Sequence, residues 1–348
     1  MDNPFTLTFG IEPKSLINNF NTFEAIKSRL IGKNPSTMAN LISGARGVGK
    51  TVLLTRIARE FSKLDGWIVV EMNPEMDMLE YLASNLYEQS KSKFRFLKKE
   101  LSFSFHGIGF SISGETPVSN VVTLIEKILD VLSSQGKKVL LCVDDVYNNP
   151  NMRAFSQQYQ ILIRKGYPLY LLMTGLYENV RTLQNEKGLT FLYRTPQIHV
   201  GDLDLHDISC SFETILGASR KDAVEMAKLT KGYAFAYQAL GYIMFEQGKI
   251  CLDDAVIRLF DEYLKTYAYE KTYFDLPKAE QEILDYLAED PNAGVALIME
   301  RLHITRGSMS QYRDRLIKKG ILVSSGWGKL DFALPRFREY LLQLQEFR

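Results

Sequence analysis

The sequence predicts an α/β fold, with a parallel sheet covered by helices on both faces, then a helical domain and a small C-terminal domain. Three observations predict it. Short β-rich runs alternate with helical patterns from about residue 36 to 200. From about 204 to 270 the apolar periodicity is helical throughout. From about 275 three helical patterns are followed by two short strands around Gly326 and Gly328. The corresponding domains are 1–203, 204–272 and 273–348.

The bulk numbers set limits. The chain has 348 residues, 46% hydrophobic and 24% charged, which is ordinary globular composition for two or three domains. A net charge of +1 excludes attraction of nucleic acid by the molecule as a whole, so any basic surface is local. Cys142, Cys210 and Cys251 form no CxxC pair, and the four histidines are scattered singly. Neither a disulfide framework nor a zinc site is expected, and the chain reads as cytoplasmic. The start, MDNPFTLTFGIEPK, lacks the basic end and apolar core of a signal peptide. No apolar run approaches the roughly 18 residues of a membrane span, and none is expected.

In the first region the strand candidates are 38–43, 67–72, 138–143, 169–174 and 197–200. Helical patterns cover 50–63, 76–99, 118–134, 152–165 and 176–186. One piece breaks the alternation. In LSFSFHGIGFSISG, apolar residues recur at every second position on both sides of His106-Gly107, so 101–113 reads as an inserted hairpin. Its apolar face packs on its own domain or meets a subunit or DNA. The basic run Lys91, Lys93, Arg95, Lys98 and Lys99 just before it reads as a solvated helix face.

Between 38–43 and 50–63 lies Gly44-Ala45-Arg46-Gly47-Val48-Gly49-Lys50-Thr51, a match to GxxxxGK[ST]. A polyphosphate needs many N–H donors aimed at one point, and a backbone free of β-carbons can curl that tightly. The helix that follows points its N-terminal amides and partial positive charge at the same spot. Lys50 then reaches the β- and γ-phosphates, and Thr51 offers its hydroxyl to Mg²⁺. The expected cofactors are ATP and Mg²⁺. A second part lies in KVLLCVDDVYNN, an apolar strand ending in Asp144 and Asp145. Asp144 is placed to hold Mg²⁺ through water, and Asp145 to orient or deprotonate an attacking water.

These motifs resemble the AAA+ ATPases and their relatives, the STAND ATPases, over most of the chain. The resemblance implies a P-loop sheet in the order 5-1-4-3-2 and a helical lid; the C-terminal order of three helices and a hairpin reads as a winged helix-turn-helix. The resemblance places Thr174, in YLLMTGLYENV, at the sensor-1 position near the γ-phosphate. It makes Arg194, in FLYRTPQIHVGDLD, the candidate for an arginine finger facing a neighbouring subunit's nucleotide. That guanidinium would offset charge developing on the transferred phosphoryl group. In TKGYAFAYQALG, Gly232 and Tyr233 would lie near the base or ribose. Phe5, Phe9 and Ile11 are either part of an adenine pocket or plain core. Two features depart from the AAA+ pattern. Asp145 stands where a glutamate is usual, as in many STAND relatives, which implies slow or switch-like turnover. Phe235 and Ala236 stand where a sensor-2 arginine would be expected.

Charge is uneven at the C-terminal end. Residues 275–300 carry one basic and seven acidic side chains, whereas 301–338 carry nine basic and two acidic. The basic part includes the third helix and the hairpin, as expected for contact with a DNA backbone. Met309, Tyr312 and Leu316 share an inward face. Arg306, Ser308, Ser310 and Gln311 then lie toward a groove, with Arg315, Lys318 and Lys319 as phosphate contacts and Trp327 and Lys329 on the wing. The resulting expectation is an ATP-binding, ATP-hydrolysing protein that binds double-stranded DNA, with nucleotide-controlled conformation or homo-oligomer assembly. The alternative is a STAND-type switch whose winged helix makes protein contacts. A P-loop chaperone has no pore-loop signature to support it.

Overall fold

The computed structural model describes residues 2–8, 10–17, 20–31, 37–93 and 121–347. The expected hairpin at 101–113 and most of the basic run before it lie outside these residues, as does Phe9. The chain divides into two compact units. One comprises Phe20–Ser43 and Thr51–Ile198; the other comprises Met1–Asn19, Gly44–Lys50 and His199–Arg348.

The first unit is built on a five-stranded sheet: β1 Ala39–Ser43, β2 Trp67–Met72, β3 Lys138–Val143, β4 Leu169–Gly175 and β5 Gln197–His199. Its order is β2-β3-β4-β1-β5, the expected order read from the other edge. β1 pairs with β4, β4 with β3, and β3 with β2, all in parallel. β1 and β4 are buried at every residue, as expected of near-continuous apolar strands in a parallel sheet. Ala39, Leu41, Val139, Leu141, Leu171 and Met173 belong to a core that also takes Leu82 and Leu86 of helix Met78–Lys93 and Ile125 and Leu129 of helix Val121–Ser134. It further takes Phe155 and Tyr159 of helix Pro150–Arg164. Aromatic packing marks the rest of the sheet: Phe61 of helix Lys50–Ser62 meets Trp67 edge-on at 4.7 Å, and Trp67 meets Tyr170 at 4.9 Å. Parallel pairing brings the carboxyl ends of β1, β3 and β4 to one edge, where Ser43 lies opposite Gly175 and Val143 opposite Met173. In open α/β sheets that edge is where ligands bind.

The second unit is helical, with the hairpin near its end. Side chains written into the sequence start its helices: Asp204, Ser219, Asp253 and Thr305 each accept from backbone N–H groups of the following turn. The N-terminal segment packs on helix Ala234–Glu246. Phe5 is buried against Phe212 and Tyr237, and a β-carbon at Gly241 would stand 2.3 Å from the Phe5 ring. Phe5 is therefore core and not part of an adenine pocket, and Ile11 is exposed.

Helices Lys278–Glu289, Val295–Arg301 and Arg306–Lys318 precede an antiparallel hairpin of β6 Leu322–Gly326 and β7 Lys329–Phe332, and helix Phe337–Glu346 follows. Arg336 grips Asp261 through two N–H donors at 2.7 and 2.6 Å, and Lys231 donates to the Phe332 carbonyl at 2.8 Å. These bonds join the C-terminal elements to helix Asp254–Leu264 and to the Lys231 turn. No helix among the described residues is long and apolar enough to cross a membrane.

Candidate nucleotide site and basic helix

In the first unit, the Thr51 hydroxyl donates to Asp144 Oδ2 at 2.8 Å. The Thr174 hydroxyl donates to the other oxygen of the same carboxylate. Thr174 Oγ also accepts from the backbone N–H of Asp145 at 3.1 Å. A triangle of Thr51, Asp144 and Thr174 therefore forms where β3 and β4 end and helix Lys50–Ser62 begins. Asp145 has φ +51°, a left-handed conformation that aspartate adopts more readily than bulky residues. The adjacent Val146 N–H returns to the Thr174 carbonyl at 2.8 Å.

The oxygen donors suit Mg²⁺, which typically takes one or two protein ligands and completes its shell with water and phosphate. Among the described residues no group of three or more His, Cys, Asp or Glu side chains forms a metal cage. A hydroxyl beside a single carboxylate is thus the donor set that fits.

In the second unit, the phosphate-type loop itself is tightly held. Lys50 Nζ, the residue before Thr51, donates to the Ala45 carbonyl at 2.7 Å, closing the loop on itself. Gly47 has φ +76°, and a β-carbon there would stand 2.1 Å from the Tyr233 hydroxyl. That hydroxyl donates to the Arg46 carbonyl at 3.0 Å, and the Phe235 N–H donates to the Gly47 carbonyl at 3.1 Å. Tyr233 is thus placed against the backbone of the glycine-rich loop. Burial pushes its phenol well above the usual tyrosine range, so it stays a neutral donor. Gly232, with φ +79°, turns the chain; its carbonyl accepts from Leu203 N–H at 2.8 Å. Gly44 lies against the Val200 carbonyl, Val48 is buried, and Gly49 has φ +93°. C-terminal elements reach the same loop: a β-carbon at Gly320 would stand 2.7 Å from Ala45 Cβ, and Arg46 lies 3.7 Å from Asp275.

Arg194 lies elsewhere. In the first unit it ends helix Thr190–Arg194 and faces a cleft shared with Thr37, Met38 and Ala39, at the amino end of β1. Asp144 and Thr174 stand at the carboxyl ends of their strands. Arg194 is therefore remote from the triangle of its own chain.

On the basic helix the structure corrects two expectations. Arg315 and Lys319 are not free phosphate contacts, because both face Glu280, which is fully buried. Lys319 Nζ donates to Oε2 at 2.7 Å. Arg315 Nε lies 2.7 Å from Oε1 but off the N–H direction, so that contact is Coulombic and not a hydrogen bond. Lys318 meets Asp314 at 2.7 Å, and Ser308 is drawn into the Thr305 cap. Arg306, Ser310, Gln311, Lys329 and the fully exposed Trp327 remain outward. Glu280 had a sequence signal: it stands on the same face as Ile283, Leu284 and Leu287, a position an unpaired carboxylate would avoid.

A family model described as the NB-ARC domain matches residues 20–180, from the helix before β1 to the helix after β4. That span includes the glycine-rich loop, both aspartates and Thr174. This is an AAA+/STAND-like P-loop ATPase fold. Domain of unknown function (DUF8462) matches residues 267–341. No curated protein matches the chain. Among solved structures, the AAA+/STAND-like chain is similar to the Aeropyrum pernix ORC2 protein in its ADPNP-ADP complexes, at 14% identity and a TM-score of 0.59. The match covers 98% of each chain. It is also similar to Cdc6p from Pyrobaculum aerophilum, at 16% identity and a TM-score of 0.50, again over 98% of each chain. At these identities the likeness is one of fold. The AAA+/STAND-like sheet order and the NB-ARC match together make this a nucleotide-binding architecture.

Proposed function

We propose that the chain is a slow, Mg²⁺-dependent ATPase whose nucleotide state controls its binding to double-stranded DNA. The observation that carries the nucleotide half is the convergence of Thr51 and Thr174 on one carboxylate, Asp144. Lys50 and the loop amides from Gly44 to Thr51 would hold the phosphates, with Thr51 and Asp144 supplying the metal's protein oxygens. The metal, when bound, would offset charge on the β- and γ-phosphates. Asp145 would orient water, and its short side chain fits slow turnover. Thr174, committed to Asp144, would sense the γ-phosphate through that carboxylate. Arg194, remote from its own chain's triangle, would act only on the nucleotide of a neighbouring copy. The ADPNP-ADP complexes of the ORC2 protein support a nucleotide ligand for this fold.

The DNA half rests on the outward residues of the third helix and hairpin, read as a winged helix. Arg306, Ser310 and Gln311 would meet the groove, and Trp327 and Lys329 the wing side. Of the three expected phosphate contacts Lys318 stays available, since the Lys318–Asp314 pair is a surface pair that DNA can outcompete, and Arg306 at the groove and Lys329 on the wing would each neutralise a phosphate beside it. Three such contacts set a slope of roughly −2.7 for log affinity against log salt. Titration of duplex DNA at several salt concentrations, with ATP and with ADP, tests this. The expected result is that slope, with tighter binding in one nucleotide state; a flat salt response removes the DNA reading.

A second reading is favoured by one set of contacts. Gly320 and Asp275 reach Ala45 and Arg46 of the phosphate loop. A STAND-type switch would use them to hold the loop closed. In the same titration it predicts a nucleotide-dependent change in sedimentation that DNA leaves unaltered.

A further inference from the structure

The cleft lined by Arg164 and Arg194 takes no part in holding nucleotide on its own chain, and Arg194 is the one residue it shares with the contact proposed to a neighbouring copy. The cleft has a volume of about 600 Å³ and lies wholly within the first unit. Its size suits a small organic ligand. Arg164 and Arg194, both exposed, are among its lining residues, and neither side chain makes an ion pair or hydrogen bond to a described residue. The lining contains no carboxylate. Gln160 and Thr190 also line the cleft, with side chains that have no described partner. The other polar groups are occupied: the Tyr159 hydroxyl donates to the Met38 and Leu169 carbonyls, and Thr195 Oγ to the Phe191 carbonyl. Tyr159 and Phe191, whose rings lie 5.7 Å apart, supply apolar wall.

Two like charges on one cleft repel until an anion offsets both, and each guanidinium presents a planar fork suited to carboxylate or phosphate oxygens. We infer that this cleft is a second ligand site, for a small organic dianion with a flat apolar body. It is separate from the phosphate loop and does not depend on the nucleotide reading.

Calorimetric titration of the full chain carrying Lys50→Ala, which silences the phosphate loop, tests it with two probes, phenyl phosphate and phthalate. Benzyl alcohol serves as the neutral control, and circular dichroism checks that each variant is folded. The expected result is saturable binding of a dianion at one site and none of benzyl alcohol. Adding Arg164→Ala should weaken it at least about tenfold, and Arg164→Lys less, because the charge stays and the fork is lost. Binding of phenyl phosphate alone assigns a phosphoryl head; binding of phthalate alone assigns a carboxylate head; binding of both assigns charge as the criterion. No binding of either probe, or binding that Arg164→Ala leaves unchanged, overturns the inference.

Discussion

Asp144→Ala is expected to lower Mg²⁺-dependent ATP turnover at least about a hundredfold, measured as phosphate release from the purified full chain. The reason lies in the triangle. Asp144 accepts from Thr51 on one oxygen and from Thr174 on the other, so its loss removes the proposed metal ligand and releases both hydroxyls at once. Asp144→Asn separates the two effects. The amide oxygen keeps one acceptor for a threonine, but the charge is gone and the second bond must reverse, with the amide N–H donating to the other threonine's oxygen. Nucleotide binding without Mg²⁺ should survive in the Asn variant, while the gain in affinity on adding Mg²⁺ should vanish. Full turnover in the Ala variant would show that the carboxylate has no role in handling the metal.

Glu280→Gln should destabilise the protein by about 3 kcal/mol, the lower end for breaking a buried ion pair, because Arg315 and Lys319 are partly open to solvent. For a chain of 348 residues that corresponds to a fall in Tm of roughly 4 °C in a thermal melt. Combining Glu280→Leu with Arg315→Met and Lys319→Met should recover most of the loss, since well-packed apolar side chains can replace a buried ion cluster. Glu280→Gln also frees two cations on the basic helix. If that helix meets DNA, the salt slope should steepen from roughly −2.7 to roughly −4.5. A variant as stable as the parent would mean that Glu280 does not anchor helix Arg306–Lys318.

Strands β1 to β4 were legible because each is a short apolar run flanked by glycine, proline or charge, whereas β5 has a single apolar residue, and the pairing order came with the resemblance. The glycine-rich loop was legible as a local pattern, and so were the two aspartates at the end of β3. What sequence reading did not reach is pairing across distance. Tyr233 is 187 residues from Arg46, and nothing in either neighbourhood marks the phenol as a support for the loop backbone. Arg315 and Lys319 read as free cations because their partner lies on another helix, 39 residues from Lys319. Charge counting treats all cations on a helix alike, but burial of one carboxylate decides which of them remain available. Phe5 read equally well as pocket or core; Gly241, which alone leaves room for its ring, decides for core.

The most direct measurement is equilibrium binding of labelled ATP, with and without Mg²⁺, to the unaltered chain and to Lys50→Ala. The account predicts saturable binding to the unaltered chain at one site, tightened by Mg²⁺, and a loss of at least about a hundredfold in Lys50→Ala. An unaltered chain that retains no nucleotide, or a Lys50→Ala chain that binds it equally well, would contradict the account.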